Sequence, residues 1–522
     1  MMTTGSIAYF LASPKGVTGA KRPAMPIDCV IKNGKLVIPN YGVLEADLAI
    51  SGEKISQIGL DINGARSTID AKGQYVFPGC VDTHSHYGHF NEFYSEMETE
   101  SKCLASLGIT TSMILLDRCI KNMEGWIERR NDPALFEQPM ENVPGFIHAM
   151  WKGSYRNIVP EVIEKSSRVS TNDFGFLLAT TNDTQLDEIP YCYRELGVSI
   201  FKAWTGLYRS VALSPSQMWR FFKKCKEVGA LPYINTINFA MQEQITREAT
   251  EKTKSDKSLV GPRYVKEARG ADIIETLDLH TTLCVANELT VPELLISHVA
   301  TGALVKLMRQ YREEYGLNVE GESCGVWLSL WWPEVGEKLG HMATCIIPQI
   351  SDRDDVDMLW EGIRRGEITC VGTDGVISPR LTFPDGRPNP LYMPPPTKDR
   401  EGLGFPSHIC NFPVTLHEGL NRGFSPVQIA EICSLNTAKK ARIYPKKGTI
   451  AVDSDADLVF VDIGTPHVIR KEELNTVAPF NPWEGCEVSC WPTLTMLRGE
   501  VIFENGKQVL KKRGQYQPRC SE

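Results

Sequence analysis

Two histidines, His84 and His86, stand two residues apart at the end of a β-like segment that follows a Pro-Gly turn at Pro78 and Gly79. In a β-strand, the side chains at positions i and i+2 point to the same side. Two imidazoles on one side of a strand end can therefore bind a single metal ion such as zinc. A bare His-x-His pair can also be two hydrogen-bonded histidines without a ligand, but the flanking residues favour the metal.

Three more polar residues, Lys202, His298 and Asp374, end other candidate strands. In a barrel of parallel strands, the carboxyl ends of different strands meet in one pocket, which is where catalytic groups lie. Each of these residues alone is more often a core or hydrogen-bonding residue. Together with the histidine pair they predict a metal site. His89, three residues beyond His86, is either a helper at this site or a loop histidine, and the loop histidine is the favoured interpretation.

The segment from about 79 to 444 alternates short apolar strands with helical stretches. Such alternation predicts a parallel sheet with helices outside it, and the number of elements favours an α/β fold with a (β/α)8 TIM-like barrel. A doubly wound open sheet is the alternative, but no glycine-rich phosphate loop follows a strand. The candidate strands are 110–115, 145–150, 198–202, 231–235, 293–298, 345–348 and 370–373, and the candidate helices are 215–228 with Ser214 as a cap, 273–287 and 355–364.

Both ends of the chain carry short β-rich segments broken by turns, including a hairpin turn predicted at Asn33-Gly34. We expect residues 27–78 and 445–510 to form one small β-sandwich domain, with the barrel, residues 79–444, inserted into it. Residues 1–26 lack a sustained period and are predicted to be an N-terminal extension, and residues 511–522 a C-terminal tail.

The composition limits the partners and the compartment. The 522 residues carry a net charge of −8, which gives no electrostatic reason to bind nucleic acid or an anionic membrane. The apolar runs are much shorter than the roughly 20 residues of a membrane helix. The 15 cysteines form no CxxC pair, which favours a reducing compartment. We therefore expect a cytoplasmic protein that acts on a small-molecule substrate.

At this level of detail the chain resembles the amidohydrolase superfamily, in its dihydropyrimidinase, hydantoinase and allantoinase branch. The resemblance runs from about residue 27 to residue 507. Besides the His-x-His segment, it includes the segments 108–111, 201–202, 296–298, 366–374, 436–438, 445–450, 455–458 and 481–485. No single one of these segments is specific, but their combination is.

The resemblance implies a metal-dependent hydrolase that cleaves a C–N bond of a cyclic amide or imide. A strand-end lysine, Lys202 here, would be carboxylated by carbon dioxide, which requires the neutral amine that burial favours. By this likeness His84, His86, Lys202 and Asp374 hold a divalent metal, with zinc expected, while Lys202 and His298 serve a second ion. Asp374 would also take the proton of the attacking water. Relatives of this kind are homotetramers or homodimers.

Several positions depart from the family pattern. Asn235 stands where the family has a metal-binding histidine, and a neutral amide is a poor zinc ligand, so one ion is favoured over two. Tyr208 is kept as the candidate oxyanion-stabilising residue, one position later than in relatives. Ile347 and Leu403 replace polar substrate-binding groups, which puts the usual ring substrate in doubt. We expect the pocket to include Trp204, Ile347, Leu403 and His408, and to take an aromatic or apolar substrate.

Two other functions remain open from the sequence. A single-metal lyase or decarboxylase of the same superfamily is compatible with the lost histidine. A non-catalytic scaffold of the collapsin-response-mediator type keeps this fold without a working metal centre. Against the scaffold stands the retention of the five candidate ligands, His84, His86, Lys202, His298 and Asp374.

Overall fold

Three β-sheets organise the protein in the computed structural model, one of them an eight-stranded parallel sheet. The structure describes residues 26–117, 153–206, 212–259, 263–264, 267, 272–346, 348–377, 381–382, 386, 404–511 and 513–520. Within these ranges, no helix combines the length and the apolar character that crossing a membrane requires.

The N-terminal strands divide between the two smaller sheets. They are β1 (Cys29–Lys32), β2 (Lys35–Ile38), β3 (Gly42–Glu45), β4 (Asp47–Ser51), β5 (Lys54–Gly59), β6 (Ser67–Asp70) and β7 (Tyr75–Pro78). Asn33 adopts the left-handed conformation with φ 57°, so the chain turns where predicted. The predicted hairpin is wrong, however, because β1 lies in a sheet of order β5-β4-β1-β6 and β2 lies in another sheet. Ile31 and Leu36 flank the turn and enter one shared core, so the turn links the two sheets.

Eight parallel strands, each hydrogen-bonded to the next in chain order, form the barrel. The amide of Asp374, just beyond the last strand, donates to the carbonyl of His84 in the first strand at 2.8 Å, which brings the two ends together. The predicted (β/α)8 barrel is thus confirmed. Its strands are β8 (Cys80–Ser85), β9 (Ile109–Leu116), β10 (Asp173–Ala179), β11 (Ile200–Trp204), β12 (Leu231–Asn235), β13 (Leu294–Ile296), β14 (Val319–Cys324) and β15 (Ile368–Gly372).

Helices follow the barrel strands, and α4 illustrates why the sequence predicts them. Ser214 and Gln217 cap each other's backbone amides at the start of this helix, and Gly229 ends it with φ 76°. The bounds predicted for this helix, 215–228, are confirmed. The helices are α1 (Phe93–Ser106), α2 (Tyr155–Val169), α3 (Asp183–Arg194), α4 (Pro215–Val228), α5 (Phe239–Ser255), α6 (Ile273–Glu288), α7 (Gly302–Tyr315), α8 (Gly325–Ser329), α9 (Glu334–Leu339), α10 (Arg353–Arg365), α11 (Asn411–Asn421), α12 (Pro426–Ala430) and α13 (Asn436–Lys440).

The C-terminal strands complete the second small sheet. They are β16 (Leu458–Val468), β17 (Glu487–Leu497), β18 (Glu500–Glu504) and β19 (Lys507–Gln508), and the sheet order is β19-β18-β17-β16-β7-β2-β3. The two chain ends meet where β7 pairs antiparallel with β16. Side chains of both small sheets, such as Ile50 and Phe460, share one hydrophobic core. The predicted β-sandwich built from both chain ends is therefore present.

Two predicted strands differ from the structure or lie outside its described residues, and two observed strands were not predicted. The strand predicted at 345–348 is wrong for its described residues: Cys345 ends a 3-10 turn, and Ile346 is buried outside any sheet, so its apolar character reflects burial alone. Strands β10 and β14 were not identified. β10 is buried along its whole length, so it shows no alternation of apolar and polar residues, and β14 has the polar sequence VEGESC. The candidate strand 145–150 lies outside the described residues.

A buried charge cluster joins the barrel to the small domain at the amino end of β10. The ammonium of Lys447 contacts the carboxylates of Asp173 at 2.5 Å, Asp457 at 2.6 Å and Asp455 at 2.9 Å. Burial alone would lower the pKa of Lys447, but the three carboxylates raise it. The ammonium of Lys447 therefore occupies the space among the three carboxylates that a metal ion would need.

Candidate metal centre

The barrel strand β8 positions the two histidines of the His-x-His segment. His84 is completely buried, His86 follows the strand end, and their ring centroids lie 4.6 Å apart. Asp82, which the sequence analysis did not identify, holds this strand end against the end of β15. Its carboxylate accepts the amide hydrogen of His84 at 3.0 Å and that of Thr373 at 2.9 Å. The structure thus places both imidazoles together, as the spacing predicts.

Lys202 reaches the histidines from β11. Its side chain is buried, and its Nζ lies 2.8 Å from Nε2 of His84. Burial lowers the pKa of Lys202, and the carboxylates of Asp374 and Glu322 oppose this effect only in part. A lower pKa increases the share of neutral amine, which is the form that reacts with carbon dioxide.

Asp374 comes from the segment directly after β15 and has a left-handed backbone with φ 47°. Its Oδ1 lies 2.8 Å from Nε2 of His86 and 3.5 Å from Nε2 of His84. Burial raises the pKa of Asp374, but the hydrogen bond with His86 and the nearby positive charges outweigh burial and lower it. The carboxylate is therefore ionised at neutral pH. A non-glycine residue held in this conformation is uncommon and is often found at functional sites.

The donor atoms of these four residues suit a divalent metal ion. The ligand atoms offered by His84, His86 and Asp374 lie within 4.8 Å of one another, and Lys202 adjoins them. Imidazole nitrogens and carboxylate oxygens are common zinc ligands, and a carboxylated lysine would add a further oxygen. The residues present thus fit the metal that the sequence predicts.

Asn235 at the end of β12 and His298, two residues beyond β13, lie side by side at the position where a second ion was considered. Nδ2 of Asn235 contacts Nε2 of His298 at 2.7 Å. The backbone N–H of Ile237 donates to Oδ1 of Asn235 at 3.2 Å, which turns the amide oxygen away from His298. Burial lowers the pKa of His298 to about 4, so this imidazole is neutral. Asn235 thus offers its NH2 group, a hydrogen-bond donor, where a second ion would need a ligand.

Two site residues, Tyr233 and Glu322, were missed from the sequence. The hydroxyl of Tyr233 lies 2.9 Å from Nδ1 of His84 and donates to Glu322, and both side chains are buried. Burial raises the pKa of Glu322 well above its usual range. The alternation rule could have found Tyr233, which stands two residues before Asn235 on β12. Glu322 was not identified because its strand, β14, was not predicted.

His89 lies beside the histidine pair. Its ring packs edge-on against His86 with centroids 4.6 Å apart, and its Nε2 is 3.7 Å from Asp117, which directly follows β9. His86, His89 and Asp117 are also close enough to offer three ligand atoms to one ion. The structure thus places His89 next to the histidine pair, although the loop interpretation was favoured from the sequence.

The pocket candidates are only partly described. Trp204 ends β11, with its ring 5.4 Å from Nζ of Lys202, so it lies at the site. His408 binds Glu100 of α1 at 2.8 Å, and a Cβ atom added at Gly375 would lie 2.3 Å from its Nδ1. The ring of His408 therefore occupies the space that a side chain at position 375 would need. Tyr208, Ile347 and Leu403 lie outside the described residues.

Comparison with known proteins identifies the relatives of this chain. Residues 199–502, more than half of the chain, match the model of the amidohydrolase family. The chain is 28% identical over 500 residues to a D-hydantoinase of Geobacillus stearothermophilus, covering 93% of this chain and 94% of the relative. It is 26% identical over 506 residues to an allantoinase of Rubrobacter xylanophilus, covering 94% of this chain and 97% of the relative.

Solved structures agree with the fold. The crystal structure of the dihydropyrimidinase from Brevibacillus agri superposes with a TM-score of 0.76 at 23% identity, covering 94% of this chain and 98% of that one. A D-hydantoinase crystal structure gives the same TM-score at 24% identity, also covering 94% of this chain and 98% of that chain. The sequence-based resemblance is thus confirmed, and the chain belongs to the amidohydrolase family.

Proposed function

We propose that the protein is a metal-dependent hydrolase that opens a cyclic amide or imide at a carbon–nitrogen bond. The observation that carries this proposal is the convergence of His84, His86, Lys202 and Asp374 at the carboxyl end of the barrel. The names of the relatives, D-hydantoinase and allantoinase, support the same reaction class.

All four residues would bind the metal ion, and Asp374 would also transfer the proton. His84, His86, Asp374 and a carboxylated Lys202 would hold the ion, for which zinc is the best match to the donors. A divalent ion held by these residues would supply a lower pKa for water and a polarised substrate carbonyl. The carboxylate of Asp374, ionised because its pKa is lowered, accepts the proton of the attacking water and delivers it to the leaving nitrogen.

One ion per chain is the favoured stoichiometry. The NH2 group of Asn235 faces His298, and a donor group there opposes a cation. Replacing Asn235 by histidine is therefore expected to raise the zinc content from one towards two ions per chain, because an imidazole would join His298 and Lys202 as a ligand. Elemental analysis after zinc reconstitution measures this. Asn235→Ala serves as the control and should remain at one ion. An unchanged content in Asn235→His would mean that Asn235 does not prevent the second ion.

The proposal also covers the substrate pocket, the cellular compartment and the oligomeric state. Trp204, buried beside Lys202, supports an aromatic or apolar substituent on the substrate. Tyr208 as the oxyanion-stabilising residue, and Ile347, Leu403 and His408 as pocket residues, remain predictions. We also propose a cytoplasmic protein that assembles as a homotetramer or homodimer.

A lyase or decarboxylase with a single metal is the second candidate. The contact between Asn235 and His298 supports this candidate because it favours one ion per chain, which is the metal content such an enzyme would have. Product analysis separates the two reactions. The zinc-loaded protein would be incubated in ¹⁸O-labelled water with hydantoins, dihydropyrimidines and aryl-substituted cyclic imides. Hydrolysis predicts a ring-opened acid with ¹⁸O in its carboxylate. Release of carbon dioxide from carboxylated analogues of these rings, without any ring-opened acid, would contradict hydrolysis and support the alternative.

A further inference from the structure

Behind His84 lies a chain of three polar side chains. Tyr233 on β12 and Glu322 on β14 are both buried, and the ring of Tyr233 stands perpendicular to the imidazole of His84. The hydroxyl of Tyr233 is 2.9 Å from Nδ1 of His84 and donates to the carboxylate of Glu322. The carboxylate itself is 3.7 Å from Nδ1, too far for a direct hydrogen bond. Tyr233 therefore bridges the gap between the imidazole and the carboxylate.

The donors and acceptors in this chain can be assigned from the number of hydrogens. A phenol has one hydrogen to donate, and Tyr233 gives it to Glu322. The oxygen of Tyr233 is then left as an acceptor for the hydrogen on Nδ1 of His84. An imidazole with its hydrogen on Nδ1 has a free lone pair on Nε2. Nε2 is the nitrogen that faces Lys202 and Asp374.

The hydrogen-bond partner at Nδ1 distinguishes His84 from the neighbouring histidines His86 and His298. Among the described atoms, Nδ1 of His86 and Nδ1 of His298 are buried without a hydrogen-bond partner. In metal sites, the second nitrogen of a ligating histidine usually donates to a carboxylate, a carbonyl or water, which fixes the tautomer and the ring orientation. Of these three histidines, and within the part of the chain that the structure describes, only His84 has a partner at Nδ1, and that partner is a tyrosine.

We propose that Tyr233 and Glu322 are positioning residues that hold His84 in the tautomer and orientation required to bind a divalent metal through Nε2. This inference rests on the proposed function, and neither residue contacts the ion or the substrate. The ion-binding strength of the whole centre would then depend on a hydroxyl group on the far side of His84.

The test is the zinc affinity of Tyr233→Phe, measured by competition with a chromophoric chelator. Loss of the hydroxyl is expected to weaken zinc binding by about 10- to 100-fold, the usual effect of removing such a partner. Tyr155→Phe is the matched control. Tyr155 is equally buried, and its hydroxyl oxygen lies 2.6 Å from the carbonyl oxygen of Ala179 and 3.0 Å from that of Leu116, with no imidazole involved. This control should bind zinc as the wild-type protein does.

Glu322→Gln provides a second variant that keeps the shape of the side chain and replaces one carboxyl oxygen, which can accept the hydrogen of Tyr233, with an NH2 group, which cannot. It should also weaken zinc binding, while circular dichroism remains that of the folded protein. Wild-type affinity in both Tyr233→Phe and Glu322→Gln would overturn the positioning role and leave the proposed function intact. An equal loss in Tyr155→Phe would also overturn it, since any buried hydroxyl would then have the same effect. A wild-type protein that does not bind zinc would overturn both proposals.

Discussion

Lys202→Ala is expected to lose both the bound metal and the catalytic activity while keeping the fold. The amine of Lys202 is buried 2.8 Å from Nε2 of His84, and no other lysine in the described part of the chain adjoins the histidine pair. Alanine removes the carboxylate that a modified lysine would contribute, so the ion would retain only two imidazoles and Asp374. Elemental analysis, circular dichroism and a hydrolysis assay on the same preparation measure the three properties.

Lys440→Ala is the matched control for this experiment. Lys440 is another mostly buried lysine. It ends α13, away from the histidines, and its Nζ lies 3.1 Å from Oε2 of Glu320. Its replacement should leave the metal content unchanged. Small carboxylic acids such as acetate or propionate should restore part of the activity to Lys202→Ala, because they can occupy the space of the lost carboxylate. Near-normal turnover in Lys202→Ala without added acid would exclude Lys202 from the centre.

Asp374→Asn is expected to lower kcat by about 100- to 10,000-fold, the range that a positioned general base contributes. The amide has nearly the same shape as the carboxylate but cannot accept the proton of water. Burial opposes the charge on Asp374, yet the hydrogen bond with His86 and the positive neighbours keep its pKa low, so the wild-type residue is ready to act as a base.

Asp374 is also a proposed ligand, so the assay needs saturating zinc and a parallel measurement of metal content. The expected result is a variant that has regained most of its metal but very little of its turnover. Turnover that recovers in proportion to the zinc content would contradict the base role and leave Asp374 as a ligand alone.

The sequence was most informative where residue type and strand position coincide. His84, His86, Lys202, His298 and Asp374 were identified because each stands at the end of a strand predicted from the sequence, and a parallel barrel brings strand ends together. The orientation of the Asn235 amide was beyond prediction, since it depends on the backbone N–H of Ile237, which only the folded chain places. Tyr233 was accessible through the alternation of β12, but its partner Glu322 was not.

The errors in predicting the fold arise where the local sequence does not report how a segment is packed. The sequence VEGESC of β14 carries no apolar run, because this strand turns polar side chains towards the site. The strand predicted at 345–348 shows the opposite error, since its described residues Cys345 and Ile346 are buried by packing outside a sheet. At Asn33-Gly34, local turn chemistry was identified correctly, while the pairing of the flanking strands was decided by the shared core of two sheets.

The most direct test is the number of metal ions bound per wild-type chain. The protein would be purified without chelators, reconstituted with zinc, desalted and measured by elemental analysis together with its concentration. Binding by His84, His86, Lys202 and Asp374 predicts one tightly held ion per chain. Protein that is folded yet retains no ion after desalting would contradict the metal centre, and with it the hydrolytic mechanism.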